Sequence, residues 1–252
     1  MKCKDGFEAE EYRKKLLQEK QFLLLLDTYS DEFPSIPDKN SGSFWDKRFT
    51  EKKQEIHYME EDRNMVVAQT VKNGETILDL GIGKGEVEQL LFKKFGRKID
   101  VFGTDITSDT LKKLKKKYYF WNFSYQRLEK LNFEGKYFDR VFFLEVLEHL
   151  KPSSTLKVLK EIFRVLKDDG EFVVSVPINE GLEEMYPYNP NSHLRVYSEE
   201  LLKFELNHCG FKVNRIVRLT AFPNHYYLKK FINLIFRSRA PNNLIFICRK
   251  KA

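Results

Sequence analysis

The stretch ILDLGIGKGEVEQLL, residues 77–91, decides how the rest of the chain is interpreted. Its opening residues are mostly apolar and predict a short buried strand. Three glycines follow at alternate positions, Gly81, Gly83 and Gly85, and predict a tight turn whose backbone a ligand can approach closely. From Glu86 onward the apolar residues have helical spacing. A strand, a glycine turn and a helix in direct succession indicate a ligand-binding βα unit.

The same loop argues against a dinucleotide ligand. A GxGxxG loop needs glycine at position 86, where Glu86 stands, and a carboxylate there would repel a pyrophosphate. Asp105 lies at the end of the next predicted strand, 20 residues beyond Gly85. A carboxylate at that place can accept hydrogen bonds from both hydroxyls of a ribose. An adenosine ligand without a pyrophosphate satisfies both observations, and S-adenosylmethionine is the common one.

The elements around this unit predict an α/β fold. Strands are predicted at 76–80, 100–105, 123–126, 139–144, 171–177, 211–219 and 242–250. Helices are predicted at 54–72, 86–96, 107–118, 156–166 and 198–210. This alternation predicts a Rossmann-like, doubly wound and mostly parallel sheet with helices on both faces, and ligands at the carboxyl ends of the strands. Residues 1–43 are predicted to form an N-terminal helical extension and a proline-containing linker.

Composition limits the class of protein. The chain has 252 residues, of which 42% are hydrophobic and 32% charged, as is typical of a globular protein. It lacks an apolar run of the ~20 residues that a membrane span needs. The run FLLLL at 22–26 is too short and too far along the chain for a secretory signal. Three widely separated cysteines favour a reducing, cytoplasmic location and no zinc cluster.

Positive charge is concentrated at the carboxyl terminus. Residues 212–252 contain ten Lys or Arg and no Asp or Glu, whereas the rest of the chain has 34 basic and 37 acidic residues. Such asymmetry indicates an anionic partner, either a phosphorylated substrate or a membrane surface, with nucleic acid less favoured. A solvated basic edge explains the same charges equally well. We therefore expect a cytoplasmic protein that is free or peripheral to a membrane.

Five segments in order resemble the class I S-adenosylmethionine-dependent methyltransferases. They are ILDLGIGKGE, GTDIT, LEKLNFEGKYFDRVFFLEVLEHL, EIFRVLKDDGEFVVSVP and HLRVYSEELLKFELNHCGF, which together cover about 74–220. The chain looks most similar to the group that contains the ubiquinone-biosynthesis methyltransferases. The resemblance implies a seven-stranded sheet with an antiparallel last strand. It also implies a methyltransferase domain over 44–252, with substrate-side insertions at 178–197 and 221–240.

The resemblance also implies cofactor contacts. Asp79 and the backbone of Gly81 and Gly83 would hold the methionine end of S-adenosylmethionine, and Ile82 and Gly85 would be further cofactor-binding residues. Asp105 would bind the ribose, Ile106 would pack on the adenine, Arg127 and Leu128 would line the adenine edge, and Leu144 and Glu145 would close the methionine side.

Arg127 departs from the family pattern. Relatives usually have an aspartate there that accepts a hydrogen bond from the adenine amino group, and arginine has no acceptor. A backbone carbonyl or Glu129 is the candidate replacement.

The acceptor is predicted to be a small molecule, methylated at oxygen. Positioning does much of the work in such a displacement, and a general base helps when the acceptor is a hydroxyl. We name His149 and His193 as candidate bases. The other candidates are His57, Tyr58, Tyr186 and Tyr188.

The segment EVLEHL, residues 145–150, leaves an alternative open. A Glu-x-x-Glu-His turn plus a distant histidine resembles the small-RNA 3′-terminal 2′-O-methyltransferases, in which such residues bind a divalent metal. The matching residues are Glu145, Glu148, His149 and His193. Because LEHL occurs widely in methyltransferases with no metal, we predict no metal site and keep a metal-assisted RNA 2′-O-methyltransferase as the alternative.

A third possibility is a non-catalytic membrane- or nucleic-acid-binding module on the same fold. It rests on the apolar stripe Leu228, Phe231, Ile232 and Ile235, beside Lys229, Lys230 and Arg237. Such a stripe can lie on an anionic membrane. We favour the other interpretation, an amphipathic helix that covers the sheet.

Overall fold

The computed structural model describes residues 37–51, 58–180, 188–222, 225–236 and 239–251. The predicted helix at 1–30 and the linker up to residue 36 lie outside this range. The remaining linker residues pack against the loop that follows residue 188, where Lys39 N donates to Ser192 Oγ at 3.1 Å and Asn189 Nδ2 donates to Pro37 O at 2.8 Å.

Seven strands and seven α-helices form the described part of the chain. The helices are α1 (Gly42–Glu51), α2 (Tyr58–Thr70), α3 (Glu86–Phe95), α4 (Ser108–Lys117), α5 (Pro152–Val165), α6 (Glu199–His208) and α7 (Tyr226–Phe236). The strands are β1 (Thr76–Leu80), β2 (Asp100–Thr104), β3 (Asn122–Ser124), β4 (Phe138–Leu144), β5 (Leu166–Pro177), β6 (Phe211–Leu219) and β7 (Asn243–Lys250). A 3-10 turn at Leu147–His149 follows β4.

The strands form one sheet in the order β3-β2-β1-β4-β5-β7-β6. β1 pairs in parallel with β2 and β4, and β7 lies antiparallel between β5 and β6. The predicted Rossmann-like sheet with an antiparallel last strand is therefore confirmed. The strand order reverses between β1 and β4, and a crevice outside their carboxyl ends is where ligands bind in such sheets.

Helices cover both faces because alternate residues of each strand point to opposite sides. Leu78 of β1 belongs to a core formed with α5 and α6. Its neighbour Ile77 belongs to a second core, formed with α2, α3 and α4. The continuous apolar runs of the central strands therefore bury on two sides, as expected for a parallel sheet.

A buried ion pair fixes the segment between β5 and α6. The Arg195 guanidinium donates to the Glu205 carboxylate of α6 and to the Thr155 hydroxyl of α5. Tyr197 also donates its hydroxyl to Glu205 at 3.0 Å, and the guanidinium stacks over the Tyr197 ring. Both charged side chains are fully buried. This network sets the path of the chain at His193.

The prediction that the stripe of α7 covers the sheet is wrong. Tyr226 is the only buried residue of this helix, and its apolar stripe is exposed. Polar contacts hold the other side of the helix to the protein, which the apolar pattern alone could not reveal. Within the described residues, every helix is too short or too polar to cross a membrane.

We expect Arg195→Met to lower the free energy of unfolding by about 3–5 kcal/mol, because it leaves the Glu205 charge buried and unpaired. Arg195→Met/Glu205→Gln should recover part of this loss. Urea denaturation measures both. The matched control is Arg218→Met, which breaks a half-exposed pair with Glu199 and should cost under about 1 kcal/mol. Equal losses in the two single variants would contradict the assignment.

Candidate functional site

Two adjoining cavities open at the carboxyl ends of β1, β2 and β4, as the strand order predicts. The larger has a volume of about 720 Å³ and reaches from Asp105 to the loop at 125–130. The smaller, of about 320 Å³, lies beside Asp79, Arg63 and His193. The residues that line both are Trp45, Phe49, Gly81, Gly83, Glu145 and His149.

The glycine turn after β1 forms the floor between the cavities. Gly81 has a φ of 79°, a conformation that glycine adopts without strain. A Cβ at this residue would lie 2.4 Å from Cγ2 of Val146, on the loop after β4. Gly81 and Ile82 also donate their backbone N–H groups to Thr104 O, at 2.8 and 3.0 Å. The turn is thus locked to the ends of β2 and β4.

Asp105 faces the larger cavity and organises its own loop. Its Oδ2 accepts from Gly83 N at 2.8 Å. Its Oδ1 accepts from the backbone N–H and the hydroxyl of Thr107, at 2.8 and 2.7 Å. A carboxylate oxygen has two lone pairs, so Oδ2 keeps one for a ligand hydroxyl. The sequence predicted the ligand contact but missed this bracing.

The far end of the larger cavity is lined by Ile106, Arg127 and Leu128, the residues that the family resemblance assigns to the adenine. Leu128 is half-buried, whereas Ile106 and Arg127 are exposed. Glu129, the candidate replacement for the missing aspartate, also lines this end.

Helix α1 covers the cavities, which the sequence did not reveal. Trp45 and Phe49 lie one turn apart on α1, and their ring centroids are 5.7 Å apart. The helix approaches the loop after β2 closely, since a Cβ on Gly42 would lie 2.4 Å from Ile106 O. The aromatic residues in FWDKRF, next to the linker, were the available signal.

Asp79 is buried beside a second acid. Its pKa is raised to about 7, mainly because the side chain is buried. A hydrogen bond with Glu88 lowers the pKa, the Asp105 charge raises it further, and the Arg63 charge lowers it. Burial and the Asp79 charge in turn raise the pKa of Glu88 well above its ordinary value. Glu88 was not among the predicted site residues, because it lies on α3 within the apolar pattern that marks a core helix.

Glu145 has a left-handed backbone, with a φ of 55°, at the end of β4. Its carboxylate accepts from Ser175 Oγ at 2.6 Å and from Asn243 Nδ2 at 2.8 and 2.9 Å. Arg63 Nη1 lies 3.4 Å from Oε2. Non-glycine residues in this conformation persist where their surroundings hold them, and often at functional sites.

Glu148, His149 and His193 converge in the smaller cavity, with ligand atoms within 4.8 Å of one another. Glu148 is 1% exposed, and its Oε2 has no hydrogen-bond partner among the described residues. Burial and the Glu145 charge raise its pKa well above the ordinary value. Leu194 N donates to Glu148 O at 2.8 Å, which brings the two segments together.

The two histidines of this cluster differ in their partners. His149 Nδ1 lies 3.0 Å from Ser192 O, and its ring packs edge-on against Trp45. Burial and the neighbouring His193 lower the pKa of His149 to about 3. His193 Nδ1 instead lies 3.0 Å from a carboxylate oxygen of Glu180.

Not every predicted site residue lies here. Glu145 does not belong to the Glu148 cluster, since its carboxylate is held by Ser175 and Asn243. Tyr58 stacks on Tyr226, away from both cavities, and Tyr188 is 79% exposed. His57 and Tyr186 lie outside the described residues.

Comparison with known proteins finds similarity to methyltransferases. Residues 77–170 match the family described as a methyltransferase domain. An uncharacterized protein from Methanocaldococcus jannaschii, MJ1252, is 30% identical over 120 residues, which are 47% of this chain and 43% of that protein. The match therefore spans less than half of that relative's length.

Solved structures share the fold at low sequence identity. A SAM-dependent methyltransferase from Archaeoglobus fulgidus aligns with a TM-score of 0.62 and 22% identity, over 81% of this chain and 99% of that one. A putative methyltransferase in complex with the Haloferax volcanii Trm112 activator aligns with a TM-score of 0.65 and 18% identity, over 86% of this chain and 98% of that one. The [4+2]-cyclase SpnF aligns with a TM-score of 0.64 and 15% identity, over 86% of this chain and 98% of that one.

The raised pKa of Asp79 predicts a pH-dependent stability. Between its unfolded value near 4 and about 7, the folded protein binds more protons at this carboxyl than the unfolded chain. Stability should therefore fall as pH rises through this window, by up to about 1.4 kcal/mol per pH unit from this group. Asp79→Asn should flatten the curve in urea denaturation at pH 5, 6 and 7. Parallel curves for Asp79→Asn and the parent would contradict the assignment; Asp109→Asn is the exposed control.

Proposed function

We propose that the chain is a class I S-adenosylmethionine-dependent methyltransferase that transfers the methyl group to an oxygen atom of a small-molecule acceptor. The observation that carries this proposal is the pairing of His193 with Glu180 in the smaller cavity, beside the residues that would hold the methionine end of the cofactor. The pairing would supply a proton acceptor on the methionine side of the cofactor.

The proposal places the cofactor across the two cavities. Asp105, with one free lone pair, would bind the ribose in the larger cavity, and Ile106 with Leu128 would flank the adenine. The buried Asp79 would face the ammonium group of the methionine end. The glycine turn provides the bare backbone between the two parts. When bound, the cofactor supplies a methyl group on a sulfonium, which is already a good leaving group.

Leu144 and Glu145 would form the wall on the methionine side. Both line the smaller cavity. Because Glu145 is held by β5 and β7, this wall is rigid, and its carboxylate would face the sulfonium of a bound cofactor.

A small acceptor fits the enclosure. The smaller cavity is covered by Trp45, Arg48 and Phe49 of α1 and by Asn191 and His193 of the loop after β5. Arg48 connects α1 to the loop after β5, since its guanidinium donates to Asn191 Oδ1 at 2.7 Å and to Pro190 O. Because this cavity of about 320 Å³ would hold both the methionine end of the cofactor and the acceptor, it favours a small acceptor.

His193 would act as the base. With its Nδ1–H donated to Glu180, the Nε2 atom is left as the proton acceptor, which is the arrangement that orients a catalytic imidazole. His149 is less suited, because its lowered pKa makes it a weak proton acceptor. It would instead pack beside the acceptor, between Trp45 and His193.

Loss of the Asp105 carboxylate should weaken cofactor binding. Asp105→Ala removes the ribose contact and the bracing of Gly83 and Thr107. We expect the Kd for S-adenosylhomocysteine in isothermal titration to rise at least about tenfold. Asp109→Ala, on the exposed face of α4, is the control. If the parent protein binds neither S-adenosylhomocysteine nor S-adenosylmethionine, the proposal fails and a non-catalytic module takes its place.

Substitution of the base should separate catalysis from binding. His193→Gln should lower kcat by about 10²- to 10⁴-fold while the Kd for S-adenosylhomocysteine stays within about twofold. The assay measures transfer of labelled methyl from S-adenosylmethionine to a panel of small phenols and alcohols. His225→Gln, an exposed histidine on the loop before α7, is the matched control. Full activity in His193→Gln would remove the base assignment but not the cofactor assignment.

Metal-assisted transfer is the second candidate, favoured by the convergence of Glu148, His149 and His193. Two imidazoles and a carboxylate would suit Mn²⁺ or Zn²⁺. The fourth predicted ligand, Glu145, is held elsewhere. An RNA acceptor has little support, since five acidic and three basic residues line the smaller cavity. Activity that survives chelation, with no heat of Mn²⁺ binding, would remove this candidate.

A further inference from the structure

Helix α7 presents an apolar face to its surroundings. Seven of its eleven residues are large hydrophobic side chains with exposed fractions between 41% and 78%. They are Tyr227, Leu228, Phe231, Ile232, Leu234, Ile235 and Phe236. At 100° per residue these positions cover roughly 200° of the helix circumference. A surface helix of a globular protein normally shows the reverse arrangement, with its apolar side against the core.

The narrow polar side of α7 attaches it to the protein. Tyr226 donates its hydroxyl to Asp62 Oδ2 of α2 at 2.5 Å, and Lys230 forms an ion pair with the same carboxylate. Asn233 Oδ1 accepts from Arg239 N at 2.7 Å. These contacts fix the rotation of the helix about its axis. The outward direction of the apolar face is therefore set by specific bonds.

An exposed apolar face of this width marks an interaction surface. The helix follows β6, whose carboxyl end lies at the same edge of the sheet as the cavities. Its anchor Asp62 directly precedes Arg63, which lines the smaller cavity. The helix is therefore attached to the protein at the edge of the sheet where the cavities open.

The charge around α7 identifies the occupant. Residues 220–242, which contain α7 and the segments on either side of it, have four Lys or Arg and no Asp or Glu, beside an apolar face rich in Leu, Ile and Phe. This combination is typical of helices that lie in the interface of an anionic membrane, with apolar side chains among the acyl chains and cations at the headgroups. A second copy of the chain would bring the same cations against each other.

We propose that α7 docks the protein on the surface of a membrane that contains anionic lipids. Phe231, Leu234 and Ile235 insert below the headgroups, and Lys229 and Arg239 lie at the phosphate level. Both cations fall within the described residues of the basic region. The docked helix lies in the plane of the interface rather than across the membrane.

Vesicle binding tests this proposal. The full chain is mixed with vesicles of phosphatidylcholine and about 30 mol% phosphatidylglycerol, and the bound fraction is measured by sedimentation. We expect binding at about 0.02 M salt that weakens at about 0.5 M, since the headgroup attraction is screened. Phe231→Glu/Ile235→Glu should weaken binding at least about tenfold, because charges must then enter the acyl region.

The matched control is Lys113→Gln/Lys116→Gln on the exposed face of α4, which lowers the formal net charge by the same two units. It should change vesicle binding by less than about threefold. Unaltered binding of S-adenosylhomocysteine by Phe231→Glu/Ile235→Glu shows that this variant is folded. The proposal is overturned if the parent protein does not bind the vesicles, or if both double variants bind equally. It is also overturned if light scattering shows a dimer of the parent that Phe231→Glu/Ile235→Glu dissociates.

Discussion

The close approach of the Gly81 backbone to the Val146 side chain is the constraint on which the site depends. It fixes the separation of the turns after β1 and β4, and the bonds from Gly81 and Ile82 to Thr104 add the end of β2. Three strand ends are thereby joined into one rigid floor. Because the register of the parallel strands determines where those ends lie, the geometry of the cavity floor derives from the sheet.

The features that the sequence predicted correctly are encoded by neighbouring residues. The strands are apolar runs, the turn requires a positive φ at Gly81, and Asp105 follows its own strand. The antiparallel last strand was predicted from the family resemblance, which rests on motifs that follow one another along the chain. The features that the sequence did not reveal depend on long-range contacts. Trp45 covers a cavity whose lining includes His193, 148 positions further along the chain, and the carboxylate of Glu145 is held by a residue 98 positions away.

The orientation of helix α7 was likewise not predictable from the sequence, because it depends on contacts with a distant residue. Its apolar spacing predicts burial, and burial is the usual outcome because it removes apolar surface from water. Here the bonds of Asp62 to Tyr226 and Lys230 fix the opposite orientation. Likewise, the fold alone does not determine the reaction, since a [4+2]-cyclase has the same architecture. In the proposed function, the paired His193 and Glu180, rather than the sheet, would set the chemistry.

The antiparallel direction of β7 has a consequence for how the site could be altered. Parallel strands bring only their carboxyl ends to the cavity edge, whereas β7 brings its first residue, Asn243, which holds the Glu145 carboxylate. Asn243 is fully buried behind the cavity wall and lines neither cavity. A substitution at Asn243 would therefore change the position of the Glu145 carboxylate from behind the cavity wall. Variation at the beginning of the last strand offers a route to new acceptor preferences that leaves every cavity-lining side chain unchanged.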